Sequence, residues 1–277
     1  MPEPRPGNVT VIEPARGWRG LGLREVWEYR ELLYFLTWRE VKSRYRQMAL
    51  GPLWIVLIPL LNTLVFSLIF GRWAGVQHDD LPYPVYYFAA LLPWQFFSVS
   101  ASKSARSLVD NLHLISKVYF PRIIVPTSSA VVGLLDWLIS FLVLLVIMAW
   151  YHLAPATTSF LVPAYLLLAL MTALAVGLWL AAAAVWFRDV AYGVTVLMQI
   201  WMFATVIYPS TAVPAQWRLL YRLNPMQTVV EGFRWCLLGR GQPPDAVHAV
   251  TAAAVAVALV AGAYVFQRTE RTVVDVL

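Results

Sequence analysis

The feature that most constrains this chain is a set of long stretches without a formal charge. Residues 47–71, 81–102, 190–217 and 246–267 carry none, and 137–187 is an uncharged run too long for one membrane crossing. A hydrocarbon core about 30 Å thick takes roughly 20 residues of helix. His152, Pro155 and the polar run Thr157, Thr158 and Ser159 divide the longest stretch in two. The expectation is six transmembrane helices, at about 53–70, 83–101, 123–150, 161–186, 191–208 and 247–267. Backbone groups cannot stay unpaired in lipid, so the alternative is a closed barrel, but these runs are too continuous for alternating barrel strands. A composition of 60% apolar and 13% charged residues also lies outside the soluble globular range. The fold class expected is an all-α polytopic membrane protein.

An even number of spans puts both termini on one side. That side would then hold sixteen of the 21 Lys and Arg residues, with Arg72, Arg218, Arg222, Arg234 and Arg240 on the other. The positive-inside rule makes the basic side, and both termini, cytoplasmic. The net charge of +6 is explained by this topology and gives no reason to invoke nucleic acid. Residues 1–23 are Pro-rich and lack an apolar core, which reads as a disordered cytoplasmic tail and not a signal peptide. The single cysteine, Cys236, is read as a packing residue.

Between tail and first span, 24–48 reads as an amphipathic interface helix. Trp27, Tyr34, Trp38, Val41, Tyr45 and Met48 fall on one stripe, with Arg39, Lys42 and Arg46 on a neighbouring face. Aromatics beside basic residues describe a helix lying in the headgroup plane, and Gly51-Pro52 then turns the chain into the bilayer. It serves either as an anchor or as a lever that also touches a cytoplasmic partner. The six-span domain is expected over 49–277. Its longest cytoplasmic loop, 103–122, carries Leu108, Leu112 and Ile115 at helical spacing, as a docking knob or a helix lying on the membrane. The external segment 209–240 is punctuated by Pro209, Pro214 and Pro225 into two short helices. It reads as a re-entrant helical hairpin or an interfacial loop, with Met226, Val229, Val230, Phe233 and Leu237 on one face opposite Gln227 and Arg234. Glu231 is placed to neutralise one of its arginines. Asp136 is the carboxylate within the spans, and its cost in lipid means that it faces the bundle interior or a polar cavity.

Resident chemistry finds little support. None of the three lysines, Lys42, Lys103 and Lys117, follows glycine, so no phosphate-cradling Gly-Lys-[Ser/Thr] loop exists. The four histidines are scattered, and His78-Asp79-Asp80 reads as a solvated turn, not a metal site. No metal site and no cofactor is expected on this chain. If transport is powered, the energy enters from another subunit.

In order along the chain, WREVKSRYR, ALGPLW, PYPVYYFAALLPWQFF, LISKVYFPRIIVP, FRDV and LNPM resemble the permease subunit of ABC-2 type exporters of cell-surface polysaccharides. That group moves O-antigen, capsule or teichoic acid chains, and the resemblance runs from about Tyr29 to the C-terminus. Two positions depart from it: Ala90 stands where glycine is expected before Leu-Leu-Pro-Trp, and the tail ERTVVDVL matches loosely.

The resemblance implies a homodimer in a bacterial inner membrane, joined by two copies of an ATP-binding subunit that holds the ATP and Mg. It implies a polyprenyl-diphosphate-linked polysaccharide as substrate, with membrane lipids around the chain. ATPase coupling would fall on Leu108, Asp110, Asn111, Leu112, Ile115 and Lys117, with Arg188 and Asp189 in a second cytoplasmic turn. Arg39, Lys42, Arg44 and Arg46 would meet the lipid diphosphate. Trp94, Phe97, Asp136, Trp201, Phe203 and Tyr208 are the candidates for channel lining, since aromatic faces stack against sugar C–H groups. Arg218, Arg222, Glu231 and Arg234 would belong to the external gate. Two rivals are a same-fold permease exporting a drug or small lipid, and a membrane-embedded glycolipid enzyme, which the missing acidic and histidine constellation disfavours.

Overall fold

A computed structural model describes residues 27–45, 53–73, 81–115, 117, 120–187, 189–207, 213–241 and 243–269. All regular structure among them is helical. In chain order the α-helices are α1 (Arg30–Tyr45), α2 (Leu53–Phe66), α3 (Tyr83–Asp110), α4 (Leu112–Ile115), α5 (Ile124–Val131), α6 (Gly133–Trp150), α7 (Val162–Trp186), α8 (Asp189–Met202), α9 (Ala215–Arg222), α10 (Pro225–Leu238) and α11 (Ala246–Thr269). A 3₁₀ turn, Thr157–Leu161, leads into α7, and wider π-helical segments, Ser67–Trp73 and Phe203–Ile207, extend α2 and α8.

Among the described residues, five helical stretches are long and apolar enough to cross a bilayer: Leu53–Trp73, Ile124–Trp150, Thr157–Trp186, Asp189–Val206 and Ala246–Thr269. The sixth expected crossing, 83–101, is a helix of a different kind. It lies within α3, whose 28 residues extend about 42 Å. Its tyrosines, prolines, glutamine and serines lower its hydropathy, because α3 is wrapped by other helices instead of by lipid. Val85, Phe88, Ala89, Ala90, Phe97 and Ala101 are wholly buried. A helix covered on every side needs no lipid-facing stripe.

Small residues let the neighbours close on α3. A Cβ added at Gly177 of α7 would lie 2.5 Å from Ser104 Cβ, and one added at Gly133 would lie 2.6 Å from Ser100 Oγ. Those serines bind across helices: Ser100 Oγ donates to Ala130 O at 3.0 Å and Ser104 Oγ to Pro126 O at 2.8 Å. Close backbones with hydroxyl crosslinks replace the hydrophobic drive that lipid does not supply.

Apolar packing forms two clusters. The larger surrounds the middle and first half of α3, and includes Trp94, Phe97, Trp137, Phe233 and Leu237. The second gathers Leu36 of α1, Leu108, Ile115, Phe120, Ile124, Leu178 and Phe266. The bundle therefore has two distinct ends: one where α1 docks, and one where α9 and α10 fold over.

Candidate functional sites at the two ends of the bundle

At the α1 end, Leu36 is buried and Leu32 and Leu33 pack beside it. The opposite surface of α1 is aromatic and open, with Tyr34, Phe35 and Trp38 all more than half exposed, as is Trp27 just before the helix. Polar side chains then fix the docking. Lys103 Nζ lies 2.6 Å from Glu40 Oε1, and Ser129 Oγ donates to Glu40 Oε2 at 3.3 Å. Arg39 donates to Asn111 Oδ1 at 2.9 Å, and Asn111 Nδ2 donates back to Ser107 O at 3.0 Å. One α1 side chain thus holds α3 and α5, and its neighbour holds the residue that ends α3.

The spacing of Leu108, Leu112 and Ile115 suggests a separate amphipathic helix, but α3 runs on unbroken to Asp110 and only one further turn, α4, follows. Leu108 and Ile115 are buried in the second cluster, and Leu112 is partly buried against it. The surface this segment presents is polar: Asp110, His113 and Lys117 are exposed, and so is Asp189 at the start of α8. Arg39 and Lys42 are exposed on α1, and Arg44 lies in its last turn. Arg46 and Arg188 lie outside the described residues, as do Met48 and the Gly51-Pro52 turn.

At the hairpin end, α10 starts and stops by local rules. Asn224 is its N-cap and accepts from Met226 N–H at 3.1 Å; Pro225 follows at the first helical position; Gly239 ends it in the left-handed conformation at φ 66°. Its last carbonyls are capped from the loop between α6 and α7, Leu237 O by Ala156 N–H at 2.9 Å and Cys236 O by the Thr158 hydroxyl at 3.0 Å. Asn224 also joins α8: its Oδ1 accepts from Trp201 Nε1 at 3.0 Å, and its Nδ2 donates to Thr205 Oγ1 at 3.0 Å. The amide thereby has both ends engaged.

The face of α10 carrying Gln227 and Arg234 is expected to be polar and opposite the apolar one, yet α10 is buried all round at this level. Gln227 is wholly buried and Arg234 is 4% exposed. The Arg234 guanidinium sits 3.7 Å above the Tyr86 ring and donates to Tyr86 O and Val206 O, both at 3.3 Å. Val206 belongs to the π-helical segment after α8. A buried arginine is tolerated when it is hydrogen-bonded and laid on an aromatic face. Glu231 is half-buried on the same helix, and burial first, then the Glu231 charge, push the Tyr221 phenol upward, while Arg234 pulls it down.

Arg222 ends α9 and pairs with Asp245, the residue before α11. Asp245 Oδ1 accepts the N–H groups of Val247 (3.1 Å) and His248 (3.3 Å), and lies 2.8 Å from His248 Nδ1. The His248 hydrogen bond and then the Arg222 one hold the Asp245 carboxyl well below the usual carboxylate range. Arg218 is exposed and donates to Val213 O at 3.4 Å.

The pattern of the ABC-2 type transporter family matches residues 31–238, from the start of α1 to the end of α10. The chain belongs to that family. Among curated relatives of this ABC-2 protein, an O-antigen export system permease protein, RfbA, of Myxococcus xanthus is 36% identical over 241 residues, 86% of this chain and 91% of the relative. RfbA of Klebsiella pneumoniae is 27% identical over 206 residues, 74% and 79% of the two chains. A polysialic acid transport protein, KpsM, of Escherichia coli is 25% identical over 196 residues, 70% and 76% of the two.

In this family member, the channel candidates fall into separate places. Trp94, Phe97 and Trp201 meet as one edge-on aromatic cluster, with Phe97 and Trp201 centroids 5.2 Å apart, and Trp94 and Phe97 are buried within the chain's own bundle. Asp136 is half-buried in the first turn of α6, Phe203 is 47% exposed, and Tyr208 lies outside the described residues. The residues missed by sequence reasoning are the positioning ones: Glu40, Tyr86, Thr205, Asn224 and Asp245. Asn224-Pro225 and Asp245, each just before a helix, carried a legible signal as helix starts; Glu40 and Tyr86 hold partners far away in sequence.

Proposed function

We propose that this chain is the membrane-spanning subunit of an ATP-driven exporter of lipid-linked polysaccharide. The observation that carries the reading is the 36% identity to an O-antigen export permease across 86% of the chain. A second saccharide export system among the relatives, that for polysialic acid, supports the substrate class. The working unit is a homodimer with two copies of an ATP-binding subunit in a bacterial inner membrane. In it α3 makes the sixth crossing, both termini face the cytoplasm, α1 lies in the headgroup plane and α9–α10 form the re-entrant external hairpin.

The mechanism follows from α3 being one helix with a different attachment at each end. ATP-driven approach of the partner subunits pushes on the 103–122 segment, through exposed Asp110 and Lys117, and on Arg188-Asp189. A continuous helix carries that displacement along its axis to Tyr86, where Arg234 couples it to α10 and to the end of α8. Elements with two arrangements, biased by nucleotide, are all that this requires. Arg39, Lys42, Arg44 and Arg46 receive the lipid diphosphate beside the exposed aromatic face of α1. For Trp94, Phe97 and Trp201 to stack on passing sugars, their mutual packing has to open; Asp136, Phe203 and Tyr208 complete the lining.

Deletion of the gene tests this, with surface polysaccharide and lipid-linked polymer in the inner membrane as readouts. Loss outside with accumulation inside is expected, and the accumulated polymer names the substrate. Normal surface polysaccharide, without a redundant copy, overturns the reading in favour of a drug or small-lipid permease.

A further inference from the structure

The corner between α9 and α10 is pinned to two different spans. Asn224 ties it to the end of α8 through Trp201 and Thr205, in a part-buried set of bonds between neutral groups. Arg222, two residues earlier, ties it to the start of α11 through Asp245. The two pins differ in kind. The Asp245 side chain is 41% exposed and reached by water, so its ion pair exchanges readily for hydration and is the more easily released. Meanwhile α9 itself turns an open apolar surface outward, with Trp217, Leu219 and Leu220 each more than half exposed.

The electrostatics at this pin are consistent on both sides. Arg222 stands at the C-terminal, negative end of α9, and Asp245 caps the N-terminal, positive end of α11. Bringing those ends together satisfies both helix dipoles and the ion pair in one contact. His248 Nδ1 lies 2.8 Å from Asp245 Oδ1, which leaves the second carboxylate oxygen aimed at Arg222. The carboxylate is therefore pre-oriented by its own helix before the arginine arrives.

We propose that Asp245 is a positioning residue of the external gate: it holds the α9–α10 corner against the last span in the resting transporter, and its release lets α9 swing away. This rests on the export reading above. The test uses the full membrane complex with its ATP-binding partner, reconstituted in planar bilayers without nucleotide, with resting ion conductance as the readout. Asp245→Ser keeps a helix cap but cannot reach Arg222, and Arg222→Gln removes the charge from the other side. Each single variant is expected to raise resting conductance about fivefold, a bias of about 1 kcal/mol on the closed state. The double variant should leak no more than either single one, and Arg222→Lys should recover most of the seal, with every variant still extracted as folded complex. Wild-type conductance in both single variants overturns the proposal, as does a double variant that leaks as the product of the two. Complementation of the deletion strain is scored in parallel. If the wild-type gene fails to restore surface polysaccharide, the export reading falls whatever the conductances show.

Discussion

The two ends of the bundle are held by different physics. At the α1 end, Leu36, Leu108, Ile115, Phe120, Ile124 and Phe266 form an apolar cluster, with close helix contacts at Gly177 and Ser104 just beyond it. At the hairpin end, α10 also packs through Val229, Phe233 and Leu237, but its outer corner and links to other helices are directional and polar: Asn224 on Trp201 and Thr205, Arg234 on Tyr86 and Val206, Arg222 on Asp245. Dense apolar packing has one arrangement and resists displacement as a block. Hydrogen-bonded nodes are either made or broken, and so define two states. The end expected to meet the motor is thus built as a plate, and the end expected to open is built from clasps.

The strongest test of that contrast is to spoil the plate. A Cβ at Gly177 already meets Ser104 Cβ at 2.5 Å, on the neighbouring helix and not at the tip of a flexible side chain. Gly177→Leu should therefore separate α7 from α3 and cost more than about 3 kcal/mol, seen as loss of folded protein from detergent extracts. Gly193, where an added Cβ meets nothing within 4 Å, is the control. Gly193→Ala should leave the protomer unharmed or more stable by about 0.5–1 kcal/mol. Equal losses at the two sites would remove the basis for treating α3–α7 contact as special.

The clasps give the next largest effect. Asn224→Ala removes the cap of α10 and leaves Trp201 Nε1 and Thr205 without this partner, so about 1–3 kcal/mol of stability should go. Asn224→Asp keeps the acceptor for Met226 N–H and Trp201 and loses only the donor to Thr205. It should recover more than half of the loss in thermal unfolding. If Asn224→Ala proves silent, the hairpin end is held by packing like the other end, and the comparison fails.

The fold was legible where hydrophobicity is a local property. The apolar runs located five crossings within a few residues, because lipid imposes the same requirement on every exposed turn. Helix α3 was legible in place but not in length or character: 83–101 was read as a span like the other five, whereas α3 runs to Asp110 and is buried by other helices. Similarly, the Leu108–Leu112–Ile115 spacing predicts an apolar stripe, and there is one, but periodicity does not say that Leu36 and Phe266 already cover it. Gln227 and Arg234 were read as a polar face because what buries Arg234 includes Tyr86, which lies more than a hundred residues away. The other clasps join residues 19 to 28 positions apart, too far for helical or strand periodicity to pair them.

The ion pair at the hairpin end gives a smaller, pH-resolved effect. Asp245 titrates below its ordinary range, so its contribution is fully present above about pH 4, the unfolded value, and is lost as pH falls toward the depressed folded value. Amide protection at Val247 and His248, corrected for intrinsic exchange, should be flat from pH 8 to 5. A decline within that window would mean that a group other than this carboxylate controls the α11 cap.

The smallest effect is expected from the polar bonds of the plate. Glu40 reaches both Lys103 and Ser129, but the Lys103 and Glu40 side chains are 26% and 31% exposed, so water and salt screen the pair. Glu40→Gln keeps an acceptor for Ser129 and should cost under about 1 kcal/mol, and its effect should shrink as salt rises from 0.05 to about 0.5 M. The same salt series on Asn224→Ala should show no trend, because no ion is involved. A large, salt-independent loss from Glu40→Gln would show that α1 is clasped rather than packed. The lever reading of α1 would then gain over the anchor, since a helix held by one polar contact can be released by whatever competes for it.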